Sequence, residues 1–166
     1  MGENKTLIAY ATRGGATGEV AIKIAEVLRQ KCGFDVDVVN LRKNPSPDIS
    51  PYKNVIVGGG VRVQQVYKEA VSFLERNDFR GKNVALFILS LEAGNPKSYK
   101  SAVKKYIERL LERFPHVKPV ATEAFGGRMK FLGFTIANAC DFGKVEAWAE
   151  SLGEKLRAKR SIKVEA

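Results

Sequence analysis

The chain has one histidine, two cysteines and one tryptophan in 166 residues. The single histidine, His116, follows Pro115 near a helix end and reads as a surface loop residue. That scarcity argues against histidine-rich metal centres and against a nucleophile–histidine–acid triad. Cys32 and Cys140 lie far apart and have no Cys or His neighbour at metal-ligand spacing. They read as reduced thiols, one of them in the core, as in a cytoplasmic protein. No apolar run approaches the ~20 residues needed to cross a bilayer. Met1 to Lys5 leads straight into the first apolar segment without a signal-peptide core, which also points to the cytoplasm.

What is present suits one domain. Apolar residues make up 45% of the chain, enough at this length for a full hydrophobic core. The expectation is a single unit over 1–166, with a core from about 5 to 157 and a basic tail over 158–166. The net charge is +10, from 28 basic and 18 acidic side chains. Such a charge attracts anionic partners but says nothing about fold. Lys97, Lys100, Lys104, Lys105, Arg109 and Arg113 fall along one helix, and Lys155, Arg157, Lys159 and Arg160 near the end of the chain. Both runs read as solvated helix faces. No basic patch is interleaved with aromatics and no base-reading motif is present, so no specific nucleic-acid partner is expected.

Strand and helix periods alternate along the chain. Leu7 to Ala11 reads as a strand, and about Thr17 to Lys31 as a helix ended by Gly33. Phe34 to Val39 alternates apolar and acidic residues, as an edge strand does. Leu41 to Tyr52, with three prolines, is a loop. Asn54 to Val57 reads as a buried strand ending in a Gly58-Gly59-Gly60 loop, followed by a helix over about Val66 to Arg76. Asn83 to Ser90 is a further apolar strand and about Ser98 to Phe114 a helix. Val117 to Phe125 contains the fifth strand, and Lys144 to Arg157 is the last helix. Strands and helices alternating at short intervals predict an α/β three-layer sandwich: a five-stranded parallel sheet with helices on both faces. With an anion loop after the first strand, the expected strand order is 2-1-3-4-5.

Ligands in such sheets bind beyond the carboxyl ends of the strands, at the switch point beside strand one. The loops expected there are Thr12 to Thr17, Gly58 to Val63, Ser90 to Asn95 and Gly126 to Arg128, all containing glycine. The first combines glycines, two threonines and a helix N-terminus. Backbone N–H groups without intrahelical partners and the helix dipole make it a place for an anion. It has no lysine before its threonine, so it is not a nucleoside-triphosphate loop. Gly14, Gly15 and Gly18 do not have dinucleotide spacing, and the acidic residues of a phosphorylated receiver are missing. A single phosphate monoester fits, held mainly by neutral donors, with Arg13 either assisting or lying on the surface.

At these residues the sequence resembles the flavodoxin family. Ile8, Ala9, Tyr10, Ala11, Thr12, Arg13, Gly14, Gly15, Ala16, Thr17 and Ala21 follow the family's opening signature, except that Ala9 stands where a larger apolar residue is usual. The likeness runs from about Lys5 to Leu156. It is similar in more detail to the flavodoxin-like branch that includes the menaquinone-dependent protoporphyrinogen oxidases. The residues concerned are the first loop, Gly58-Gly59-Gly60-Val61-Arg62, Ala70 to Leu74, Gly126-Gly127-Arg128 and the helix with Trp148. Those oxidases carry a long basic and aromatic insertion after the fifth strand, where this chain has only about Gly126 to Phe142.

The resemblance implies FMN as cofactor and electron transfer as function, without a catalytic acid, base or nucleophile. It assigns the phosphate to Thr12, Arg13, Gly14, Gly15, Ala16 and Thr17. It sets the isoalloxazine between Gly59, Gly60, Val61 and Arg62 on one side and Ser90, Leu91, Glu92 and Gly94 on the other. Arg62 would face the reduced ring, and Glu92 is a candidate proton carrier. Many electron-transfer flavodoxins stack Tyr or Trp on the ring from these loops. Here they are poor in aromatics, and Tyr67, the nearest, is spaced as a core helix residue. The partner is then a redox protein, acidic to match the net charge, or a quinone-type small molecule. The alternatives are a quinone-linked protoporphyrinogen oxidase-like enzyme and a flavin-free basic binding module. Arg128 to Ala139, basic and then apolar, reads first as cover for the edge of strand five. Its second reading is a rim for a hydrophobic substrate, a redox partner or a peripheral membrane contact.

Overall fold

The computed structural model describes residues 4–165, with side chains described through residue 159. The strands are β1 (Lys5–Ala11), β2 (Asp35–Asn40), β3 (Asn54–Arg62), β4 (Gln65–Val66), β5 (Asn83–Ser90), β6 (Ala121–Gly126), β7 (Arg128–Phe131) and β8 (Phe134–Asn138). Helix α1 is Ala16–Cys32 and α2 is Lys68–Arg76. Helix α3 is composite: Tyr99–Ala102, a π-helical stretch Val103–Glu108, then Arg109–Arg113. The last helix, α4, is Phe142–Glu165.

Five parallel strands lie in the order β2-β1-β3-β5-β6, with β4 paired antiparallel to the end of β3. Numbered without β4, this is the expected 2-1-3-4-5 order. The central strands are apolar on both faces because helices cover both. Leu7, Val55, Val57, Leu86 and Ile88 pack under α2 and α3. Ile8, Ile56, Phe87 and Leu89 pack under α1 and α4. At the amino end of the sheet, Asn83 Nδ2 donates to Asn54 Oδ1 and Asn54 Nδ2 to Thr6 Oγ1, both at 3.0 Å. This ladder satisfies polar side chains buried between three strands.

The local differences from the sequence reading have physical causes. The glycines after Val57 are not a loop: β3 runs on through them to Arg62. A Cβ on Gly58 would stand 2.1 Å from Phe87 Cζ, whose ring packs with Phe125 and Trp148. Gly58 therefore marks a close approach inside a strand rather than a turn. The turn comes later, at Val63 and Gln64, both with positive φ. Helix α3 is not regular, since the π-helical stretch inserts a wider turn at Tyr106. The tail expected from 158 continues α4 as helix to Glu165, and side chains from 160 on lie outside the described residues. Neither cysteine is fully buried. His116 is exposed as expected, but its Nε2 lies 2.9 Å from the Leu74 carbonyl.

The largest departure follows β6. Arg128 to Ala139 does not cover the sheet edge. It forms the β7–β8 hairpin, a separate two-stranded sheet. Met129, Phe131, Leu132, Phe134 and Ile136 are exposed, Leu132 by 81%. No helix of the described residues is long and apolar enough to cross a membrane.

Candidate functional site

The carboxyl ends of β1, β3, β5 and β6 open onto a cavity of about 880 Å³. That is near the upper end of the ~300–1,000 Å³ typical of ligand sites. One wall is the first loop with Thr12, Arg13, Gly14, Ala16 and Thr17. The floor is the end of β3 with Gly60, Val61 and Arg62, and beside it Ser90, Leu91 and Glu92 after β5. The sequence reading brought these segments together, and they do border one space. Gly15, Gly59 and Gly94 do not border it. Gly15 lines a smaller adjoining recess with Asn40, Arg42 and Lys43. Gly59 lies under Val66 and Ala70, 2.9 and 3.3 Å from where its Cβ would be. Gly94 is packed against Ala139, whose Cβ would be 2.4 Å from a Cβ on Gly94.

The first loop is ordered by its own hydrogen bonds. Gly15 N donates to Thr12 Oγ1 at 3.0 Å, and Gly15 has φ 89° as the residue before α1. Glu19 N already bonds the Gly15 carbonyl at 3.1 Å. No side chain caps α1, so the N–H groups of its first turn are left for a ligand. Thr17 is 2% exposed. A Cβ on Gly60 would stand 2.9 Å from Thr17 Oγ1 and 2.8 Å from Tyr67 Cε2. The backbone of β3 thus comes close under the loop because residue 60 has no side chain.

Arg13 neither faces the loop's anion site alone nor lies free on the surface. Its Nη2 meets both Glu69 oxygens, at 2.7 and 2.9 Å, and its guanidinium lies 4.5 Å from the Tyr67 ring centre. Burial acts to raise the Glu69 pKa, but the Arg13 hydrogen bonds and charge leave it below the usual glutamate value. Arg13 therefore braces the loop against the start of α2. Tyr67 precedes α2 and borders the cavity, only partly packed on the core. Burial raises its phenol pKa, so it stays neutral.

Arg128 was not among the expected cofactor ligands, yet it reaches the same loop from the opposite side. Its Nη1 pairs with Glu19 at 2.7 Å, and its Nη2 donates to the Gly14 carbonyl at 3.4 Å. Its Nε is the one buried side-chain polar atom without a partner among the described residues. A buried, unpaired cationic donor beside an uncapped helix start fits a group with phosphate oxygens. The sequence signal was Gly126-Gly127 just before it, at the carboxyl end of the last strand.

Glu92 is not a free loop carboxylate. It accepts from Tyr106 at 3.0 Å and pairs with Lys105 at 3.4 Å. Burial and this hydrogen bond push the Tyr106 phenol up to about 12, so Tyr106 remains the donor. The wider π-helical turn presents Tyr106 to the cavity. The remaining wall is the hairpin, through Met129, Lys130, Phe131 and Ile136. It is the part that sequence reasoning misassigned. The described residues hold no cluster of His, Cys, Asp or Glu that suits a metal ion.

Comparisons with known proteins agree with this architecture. Protoporphyrinogen IX dehydrogenase (quinone) of Escherichia coli is 27% identical over 109 residues, 64% of this chain and 60% of that protein. The aligned part thus spans less than two thirds of that relative's length. Oxidised flavodoxin 1 from Bacillus cereus superposes with a TM-score of 0.60 at 18% identity, covering 93% of this chain and 97% of its own. Rubredoxin oxygen:oxidoreductase from the anaerobe Desulfovibrio gigas gives 0.62 at 18% identity, over 94% of this chain and 37% of its own. At these identities the two structures speak for the fold. The sequence model of the family described as Flavodoxin domain matches residues 7–157, and the chain belongs to that family.

Proposed function

We propose that this chain binds FMN in the cavity and passes electrons through it between a donor and an acceptor. Its family implies a flavin cofactor. The observation that carries the choice of FMN is the anion site: an ordered glycine–threonine loop, an uncapped helix start and Arg128 with an unpaired buried Nε. Thr12, Gly14, Ala16 and Thr17 would hold the phosphate with Arg128, while Gly15, outside the cavity, would shape the loop through its bond to Thr12. Gly60, Val61, Arg62, Ser90, Leu91 and Glu92 would frame the ring. Gly59 and Gly94 act from beneath, by letting their neighbours approach. Arg13 supports the loop through Glu69 and Tyr67. Bound there, FMN supplies the redox chemistry.

The protein's part is to orient, to exclude water and to fix charge. Arg62 and Arg128 put positive charge beside the cavity, which favours an anionic cofactor. Glu92 is held by Tyr106 and Lys105 as a fixed hydrogen-bond acceptor at the cavity. Tyr67, Tyr106 and Phe131 are the aromatic side chains that border the cavity.

A second reading is a quinone-linked, protoporphyrinogen oxidase-like activity. Its support is the cavity volume, large enough for a second ring system, and the apolar rim. The readings part on the oxidant: a quinone in the second, a protein or other one-electron carrier in the first. The shared claim is tested by Thr17→Glu. Thr17 is buried at the loop, so a carboxylate there repels the phosphate and sits unpaired. FMN affinity, read by quenching of flavin fluorescence, is expected to fall at least ~100-fold. Unchanged affinity in a folded variant would mean the phosphate lies elsewhere.

A further inference from the structure

The β7–β8 hairpin carries Met129, Phe131, Leu132, Phe134 and Ile136 in a state no folding argument explains. They are 48, 63, 81, 76 and 59% exposed. The hairpin's principal contacts are between its own two strands. Phe131 and Phe134 face each other across the ladder, so they share one face. Such a patch marks an interaction surface.

A second turn at the same mouth repeats the pattern. Val63 and Gln64 join β3 to β4, and Leu132 and Gly133 join β7 to β8, each as a two-residue turn. All four residues have positive φ, at 49, 61, 51 and 81° respectively. Turns of this kind favour Asn, Asp or Gly at the first position. Here that position holds Val63 and Leu132. A β-branched residue is strained there, and Val63 gains nothing by burial, being 87% exposed. Both tips keep an apolar side chain against local preference.

The charges around the tips choose the occupant. Arg62 and Lys130 flank them, and residues 128–139 contain no carboxylate. The acids nearest the cavity are engaged: Glu19 by Arg128, Glu69 by Arg13, and Glu92 by Lys105. A two-fold contact with a second copy would set these cations against their own images, in a chain of net charge +10. Protruding apolar tips with a cationic collar match a surface that is apolar inside and anionic at its face.

We propose that the Val63 and Leu132 turns are a peripheral docking edge for an anionic lipid bilayer. The apolar tips enter the interface, and Arg62 and Lys130 meet the headgroups. The mouth of the cavity then faces the membrane. This docking does not depend on the cavity holding a flavin, so it fails separately from the proposed function.

The test is co-sedimentation of the full chain with phosphatidylcholine vesicles, with and without phosphatidylglycerol. Binding is expected only with phosphatidylglycerol, and it should weaken as salt rises. The double variant Leu132→Ser/Phe134→Ser should bind such vesicles at least about tenfold more weakly. Its thermal midpoint should stay near that of the unchanged protein, because both side chains are already exposed. Lys130→Glu should also weaken binding. Equal sedimentation of the unchanged protein and the double variant would overturn the proposal. So would an absence of binding to anionic vesicles together with dimerisation that the double variant loses, which would assign the patch to a second copy.

Discussion

The wall of the cavity around Thr12–Thr17 is tied on every side. Thr12 closes the loop onto Gly15, Arg13 ties it to Glu69, and Arg128 ties it to β7. The facing wall, the outer part of β7–β8, is tied at its base by Arg128 and by Ala139 N donating to the Gly127 carbonyl at 2.8 Å. Beyond that base its apolar side chains meet solvent. Under the proposed function the first wall holds something of fixed shape and charge, and under the proposed docking the second meets something from outside. A single cavity thus joins a tightly braced wall to a solvent-exposed rim, and the two should answer differently to substitution.

The largest contrast is expected from Gly60→Val set against Leu132→Ser. A side chain at residue 60 meets Tyr67 and Thr17 at under 3 Å, so the first change overpacks the fixed wall. It should cost about 1–3 kcal/mol of stability and remove FMN binding. Leu132→Ser, on the open wall, should change stability by less than about 0.5 kcal/mol and leave FMN affinity nearly intact. Urea unfolding and flavin titration measure both. Similar losses from the two changes would erase the distinction between the walls.

A smaller contrast separates the two arginines. Arg128 has a free buried donor, while Arg13 is spent on Glu69 and Tyr67. Arg128→Gln should lower FMN affinity by about 10- to 100-fold, the worth of a charge-assisted hydrogen bond. Arg13→Gln should lower it by less than about tenfold, through a loosened loop alone. The reverse order would make Arg13 the phosphate partner and Arg128 the brace.

The fixed wall was also the legible one. A strand, a glycine–threonine loop and a helix follow one another within the first residues, and local chemistry alone dictates that arrangement. The sheet order followed from the same alternation of periods. What escaped depends on distant partners. Gly58 looked like a turn because the ring of Phe87 that excludes a side chain there belongs to another strand. The hairpin looked like buried cover because apolar residues are normally inside, and Val63 and Leu132 are poor turn residues. Arg128 was hidden with it, since its role exists only once the hairpin folds back on the first loop. Exposed apolar side chains at positive-φ turn positions break the local rules that make a sequence readable.

The central claim is that the fixed wall grips a phosphate. Parallel calorimetric titrations of the flavin-free protein with FMN and with riboflavin, which differ by that phosphate, test it most directly. FMN is expected to bind at least ~100-fold more tightly, as two charge-assisted hydrogen bonds would give. Equal affinities for the two flavins would contradict the account.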